Sequence, residues 1–181
     1  MLRQVVNSYE ELEREMIKEL NKLGAEGIYK RGILATSENN FVTARRMGLI
    51  PDGLTIYCWT QKNTRKYNQI KANPNVAVVV GFIQIEGKAS IKKHPKDEPE
   101  FLEVYKKQNP ERYAGSVSHW HEVDYVLIEI APNRISRMKY AGAGDREAYL
   151  NVLNVSKREA HRVYFGTKIS SDDIDSPAYN E

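Results

Sequence analysis

The 181-residue sequence predicts a mainly β fold, an antiparallel β-barrel with flanking α-helices. Three observations carry this. Short segments rich in Val, Ile, Tyr, Phe and Trp recur along the chain, several pairs of them are joined by tight-turn residues, and helical periodicity is confined to a few stretches. A doubly wound parallel sheet would need a helix between most strands, and the sequence does not supply them.

The elements follow in order. Ser8-Tyr9-Glu10-Glu11 reads as a capping box. Leu12, Met16, Ile17, Leu20 and Leu23 then recur at helical spacing, with Gly24 closing the segment. Ile28 to Thr36 and Phe41 to Leu49 are strands joined at Asn39-Asn40, because Asn tolerates positive φ. Pro51-Asp52-Gly53 is a turn before a third strand, Leu54 to Trp59. Thr60 to Ala72 is polar and helix-compatible, and Asn73-Pro74 stops it. Val76 to Phe82 reads as a buried strand, and Ile83 to Ile91 continues into another, with Gly87 at a bulge or close approach. Glu98 to Gln108 is helical, with Phe101, Leu102 and Tyr105 as its buried stripe; Asn109 to Ser118 is less regular. Val123 to Ala131 and Ile135 to Tyr140 are expected to pair across Pro132-Asn133. Beyond Gly142 and Gly144, Ala148 to Phe165 fits either helix or strand. Residues 1–170 are expected to form one domain, and 171–181 an acidic, flexible tail.

Composition narrows the function classes. Hydrophobic residues at 41% and charged residues at 28% fit a globular chain. The longest apolar run, Val76 to Ile83, is too short to span a bilayer as a helix, and the N-terminus does not read as a secretory signal. A single cysteine, Cys58, leaves no internal disulfide framework and fits a reducing, cytoplasmic setting. The acidic tail masks a basic body: residues 1–170 hold 27 bases against 20 acids, a formal +7. That sign suits an anionic ligand such as a phosphate ester, or nucleic acid, and equally a basic solvated surface.

The most informative stretch is Tyr57 to Val80, YCWTQKNTRKYNQIKANPNVAVVV. An apolar strand ends at Trp59-Thr60, a polar loop follows, and a helix opens near Thr64. Amides at a helix start are unpaired and the local dipole is positive, so an anion is favoured there. Thr64 can donate a hydroxyl, Arg65 a planar fork and Lys66 a point charge. The alternative is an ordinary solvated helix start with a threonine N-cap.

This order of strand, turn, aromatic-Thr pair, Thr-Arg-Lys, short helix, Asn-Pro, β-branched strand and Gly-bearing strand resembles the pyridoxamine 5′-phosphate oxidase-like FMN-binding split-barrel superfamily. The resemblance runs from about Gly32 to Ile91, and Val123 to Met138 is similar to the family's late strand. It implies an antiparallel split β-barrel and a homodimer with FMN at the subunit interface. Arg65 and Lys66 match the positions that hold the FMN phosphate, with Thr64 adding a hydrogen bond. Trp59 and Thr60 match the strand end beside the cofactor. Thr43, Ala44, Arg45, Arg46 and Met47 match the segment whose backbone lies along the isoalloxazine ring. One of Arg45 and Arg46 is expected to point at the phosphate, because successive strand side chains face opposite ways. Trp120 is a candidate for the aromatic side chain that the partner subunit often lends to the flavin pocket.

Two departures separate the chain from the pyridoxamine 5′-phosphate oxidases themselves. Their C-terminal Arg-x-His is replaced by Arg158-Glu-Ala-His161, with different spacing. The glutamine expected five residues before the strand glycine is Phe82, and Gln84 lies three before Gly87. Both weigh against vitamin B6 oxidation. The leading expectation is an FMN-dependent oxidoreductase exchanging a hydride with a small molecule, with no side chain required as acid or base. Alternatives are a non-catalytic flavin module for sensing, storage or electron carriage, and an F420- or haem-binding relative on the same barrel. A nucleic-acid-binding barrel fits the charge but not the placement of the aromatics. His119 and His121 could bind metal if they lay on one strand face, but no third ligand sits at suitable spacing, so surface or interface histidines and no metal site are expected. Cys58 reads as a core residue.

Overall fold

The computed structural model describes residues 8–22, 30–141 and 147–165. Eight strands and four α-helices lie among them. Helix α1 is Tyr9–Lys22; strands β1, β2 and β3 are Lys30–Glu38, Phe41–Asp52 and Thr55–Gln61; helix α2 is Arg65–Ala72. Strands β4 and β5 are Asn75–Val80 and Ile83–Ile91, helices α3 and α4 are Pro99–Gln108 and Pro110–Trp120, and strands β6, β7 and β8 are Tyr125–Ala141, Glu147–Asn154 and Glu159–Phe165.

Every strand pairing is antiparallel, in the order β3-β2-β1-β4-β5-β6-β7-β8. A further pairing of β3 with β6 closes the first six into a barrel, and β7 and β8 extend the sheet beyond it. The predicted class, a mainly antiparallel split β-barrel with flanking helices, is the one observed.

Local chemistry accounts for the tight turns. Asn39 and Asn40 both adopt positive φ, 48° and 63°, as a β1–β2 hairpin of primed type requires. The next turn falls at Gly53, at φ 58°, so Pro51 and Asp52 remain in β2. At the start of α1 the Ser8 hydroxyl accepts the Glu11 amide at 3.1 Å. Gly24, Ile28, Gly142, Gly144 and the acidic tail lie outside the described residues.

Two expectations are corrected, and an open alternative is decided. Pro132-Asn133 is not a turn: β6 runs unbroken for 17 residues. Pro132 pairs with Gly87 where the β5–β6 register shifts, and a residue without an N–H is tolerated at such a bulge. Gly87 is needed there, since a Cβ would lie 2.3 Å from the Ala131 carbonyl oxygen. The segment after Asn109 is α4 rather than irregular chain; Pro110 sits in its first turn, where the missing N–H costs nothing. The stretch from Ala148 is two strands turning at Arg158, φ 54°.

The apolar core has two parts. One fills the barrel and continues under α1, joining Leu34, Ile56, Cys58, Val78, Ile85 and Ile130 to Leu12, Met16 and Leu20. Acids of α1 also grip the far half of β6, with Glu19 on Arg137 at 3.0 Å and Glu15 on Lys139. The second is largely aromatic and sits outside the barrel wall, where α3 and α4 bring Phe101, Tyr105 and Trp120 against Tyr57 and Trp59 of β3. Strand alternation separates the two: Ile56, Cys58 and Thr60 face inward, and Tyr57 and Trp59 face out.

Candidate functional site

The β2–β3 ladder covers only Ile50 to Asp52 against Thr55 to Tyr57. Beyond it the two strands part. Cys58 to Gln61 pair with β6, and Phe41 to Leu49 pair with β1 alone among the described residues. The facing edge of β2 therefore offers unpaired backbone N–H and C=O groups along a cleft, the split of the barrel. Helix α2 follows directly from the end of β3 and packs beside β1.

The start of α2 is charged against its own dipole. Thr64 is the N-cap in extended conformation, yet no side chain caps the first turn and no acid lies in it. Instead the first two residues are Arg65 and Lys66, both cations at the positive end of the helix. Helix α1 shows the usual arrangement, with the Ser8 cap and acids Glu10 and Glu11 in its first turn. The Thr64 hydroxyl donates to the Gln61 carbonyl at 2.9 Å and lies 3.0 Å from the Thr60 hydroxyl. Lys66 Nζ donates to the Thr60 hydroxyl at 3.2 Å, and Arg65 lies over the Phe41 ring at 4.9 Å.

A third cation joins from β2. Arg45 is half-buried and Arg46 exposed, so Arg45 is the member of the pair that turns toward α2. Its guanidinium donates to the Leu34 carbonyl at 3.0 Å, the Thr36 hydroxyl at 2.7 Å, the Gln69 Oε1 at 3.2 Å and the Thr43 hydroxyl. Burial, then the charge of Arg65, holds Arg45 below its ordinary pKa. Burial, then Arg45, does the same to Lys66. Among the described residues none of the three forms an ion pair with a carboxylate.

Gln69, which sequence reasoning missed, organises this corner. It is fully buried one helical turn after Arg65, and its Oε1 accepts from Thr36 at 2.6 Å, Thr43 at 2.8 Å and Arg45. Its Nε2 is buried with no hydrogen-bond partner. Only the i, i+4 spacing from Arg65 could have flagged it, and that spacing is common in any helix.

The other predicted residues divide. Thr43 and Thr60 lie within the cationic corner, Ala44 is exposed on the opposite face of β2, and Met47 packs on the barrel core. Trp59 points away from Thr60 into the outer aromatic cluster. Trp120 packs beside it, with ring centroids 5.3 Å apart, and is only 2% exposed. Trp120 is thus enclosed by its own α3, α4 and β3. His119 and His121 fall at the end of α4, where residues two apart diverge by about 200° and do not share a face. Among the described residues no group of three His, Cys, Asp or Glu could hold a metal. Cys58 is fully buried, and burial pushes its thiol up to about 12. Arg158 lies in the β7–β8 turn and bonds Glu10 of α1 at 3.0 Å, away from the cationic corner.

A closed barrel with one opened seam and an anion-seeking corner at that seam defines the split-barrel class. Residues 29–139 match the pyridoxamine 5′-phosphate oxidase family, and the chain belongs to it. Over 72 residues it is 38% identical to General stress protein 26 of Bacillus subtilis, an alignment covering 35% of this chain and 51% of that protein. The chain thus spans about half the length of the curated relative it matches. The crystal structure of General stress protein 26 from Bacillus anthracis is similar at 26% identity, covering 68% of this chain and 91% of that one, with a TM-score of 0.51. A pyridoxamine 5′-phosphate oxidase-related, FMN-binding protein from Nostoc punctiforme shares the fold at 13% identity, covering 84% and 94%, with a TM-score of 0.55. No helix among the described residues is long and apolar enough to cross a membrane.

Proposed function

We propose that the chain binds FMN in the split between β2 and β3 and acts as an FMN-dependent oxidoreductase. The observation that carries this is the cationic corner: Arg45, Arg65 and Lys66 converge at an uncapped helix start with no carboxylate partner among the described residues. Such an arrangement is costly until an anion occupies it. A phosphate monoester supplies the missing charge, and membership of the family makes the FMN phosphate the natural candidate.

In this reading Arg65, Lys66 and the first-turn amides of α2 hold the phosphate, and Arg45 adds a cation fixed by Thr36, Thr43 and Gln69. Thr60 steadies the Lys66 ammonium. The open edge of β2 offers hydrogen bonds to the polar edge of the ring system, while the barrel core and the aromatic cluster keep water from its faces. FMN, once bound, would supply hydride exchange at its N5 atom, chemistry that requires no acid–base pair from the chain.

A homodimer accompanies this reading. The outer face of β2, β1 and β4 carries Val42, Ala44, Ile33, Ala35, Ala77 and Val79. Val42 is 65%, Val79 40% and Ile33 37% exposed. An apolar sheet face of that kind is suited to a second copy and would cover the cleft's open side.

The purified protein is expected to show oxidised-flavin absorbance, or to gain it with a raised melting temperature on adding FMN. Bleaching by NADH or NADPH, and recovery on adding a substrate, would mark it as an enzyme rather than a carrier. A colourless protein indifferent to added FMN would contradict the proposal.

A further inference from the structure

We infer that the inner end of the split is a subsite for a small planar carboxylate, the substrate side of the same cleft; its assignment to substrate, though not its ligand class, rests on the FMN reading. The register of β2 and β3 locates it. Ile50 pairs with Tyr57, so an unbroken ladder would next set Gly48 opposite Trp59. The strands diverge there instead, and a cavity of about 350 Å³ opens, lined by Arg31, Gly48, Trp59, Ser116, His119 and Trp120. That volume suits a single small aromatic molecule.

Its chemistry differs from that of the phosphate corner. Trp59, braced edge to face by the buried Trp120 at 77° and by Tyr105, gives a rigid aromatic wall against which a flat ring can pack. Gly48 contributes no side chain and leaves the approach from β2 open. Arg31, the residue directly across the β1–β2 ladder from Gly48, is the cation lining the cavity and forms no ion pair among the described residues. A guanidinium accepts a carboxylate in a planar two-point pairing, which suits an acid coplanar with its ring. The Ser116 and Tyr105 hydroxyls are 2.7 Å apart, and His119 Nε2 is 3.3 Å from the Tyr125 hydroxyl, so hydrogen-bonding groups sit at the rim and the wall stays apolar. A single arginine without helix amides is a poor match for a phosphate and a good one for a carboxylate.

Benzoate and its neutral isostere benzamide, titrated into the full-length protein with and without FMN, test this. Indole fluorescence reports the cavity, and visible flavin absorbance reports FMN separately. Benzoate should give a saturable change about twofold to fivefold tighter than benzamide, the worth of one charge pair at an exposed arginine. Arg31→Gln should remove that preference and Arg31→Lys restore part of it, both with unchanged melting temperature, since the side chain is exposed. Equal binding of the two compounds, or a preference that survives Arg31→Gln, would overturn the inference. Selective benzoate binding by a protein that never takes up FMN would uphold the subsite and remove the flavin reading alone.

Discussion

The two ends of the split are built from opposite materials. At the α2 end, Arg45, Arg65 and Lys66 stand together without an acid among the described residues, which also leave a buried Gln69 donor unsatisfied. At the Trp59 end, five aromatic side chains are linked by edge-to-face, tilted and stacked contacts with ring centroids about 5–6 Å apart. On the proposed reading the first end needs a bound anion, whereas the second is stabilised by what it already buries. Substituting the cations should therefore change FMN affinity, and substituting the buried aromatics should change folding stability.

The largest expected effect is Arg65→Ala with Lys66→Ala. At about 1.5–3 kcal/mol per charged contact, FMN affinity should fall by about 3–6 kcal/mol if the two add. The apo protein should melt no lower, and even higher, because two cations leave a helix N-terminus. Flavin fluorescence titration and thermal melts check both halves. At the aromatic end, Trp120→Ala should cost about 3–5 kcal/mol of stability in urea unfolding, as for other buried aromatics, while the folded fraction retains FMN affinity. A stable Trp120→Ala that fails to bind FMN would erase the distinction between the ends.

Smaller effects sharpen it. Arg45→Met should weaken FMN binding by about 1.5–3 kcal/mol, whereas Arg46→Met on the exposed face should stay within about 0.5 kcal/mol. The reverse order would invert the assignment of β2's faces. Lys66 gives a pH signature. Burial and Arg45 lower its pKa, so it sheds its proton below the 10.5 of an ordinary lysine. Since protonated Lys66 favours the phosphate, FMN affinity should begin to fall on the alkaline side before 10.5. Lys66→Arg, which keeps its charge, should fall less over the same range in a titration series.

How much of this was readable beforehand depended on whether the determining chemistry was local. Asn39-Asn40 encodes its own positive-φ turn, and Thr64-Arg65-Lys66 places two cations at a helix start within three residues. Pro132 was misread because its place in mid-strand depends on a bulge at Gly87 on another strand, which no nearby residue reports. Helix α4 was partly visible: Tyr113, Val117 and Trp120 recur at helical spacing, but Gly115 and the serines masked it. Alternation showed that Arg45 and Arg46 must face opposite ways; which one faces α2 was fixed only by β2 pairing with β1. The cavity opposite Gly48 is a product of strand divergence, and only the ladder's end reveals it.

The central claim, that the α2 corner grips a phosphate, is tested most directly by comparing FMN with riboflavin, which has the same ring system and no phosphate. The dissociation constants can be read by quenching of flavin fluorescence. FMN should bind at least about a hundredfold tighter, and that ratio should fall sharply in the Arg65→Ala, Lys66→Ala protein, to what Arg45 and the first-turn amides of α2 contribute. Equal affinity for the two flavins in the unaltered protein would contradict the account.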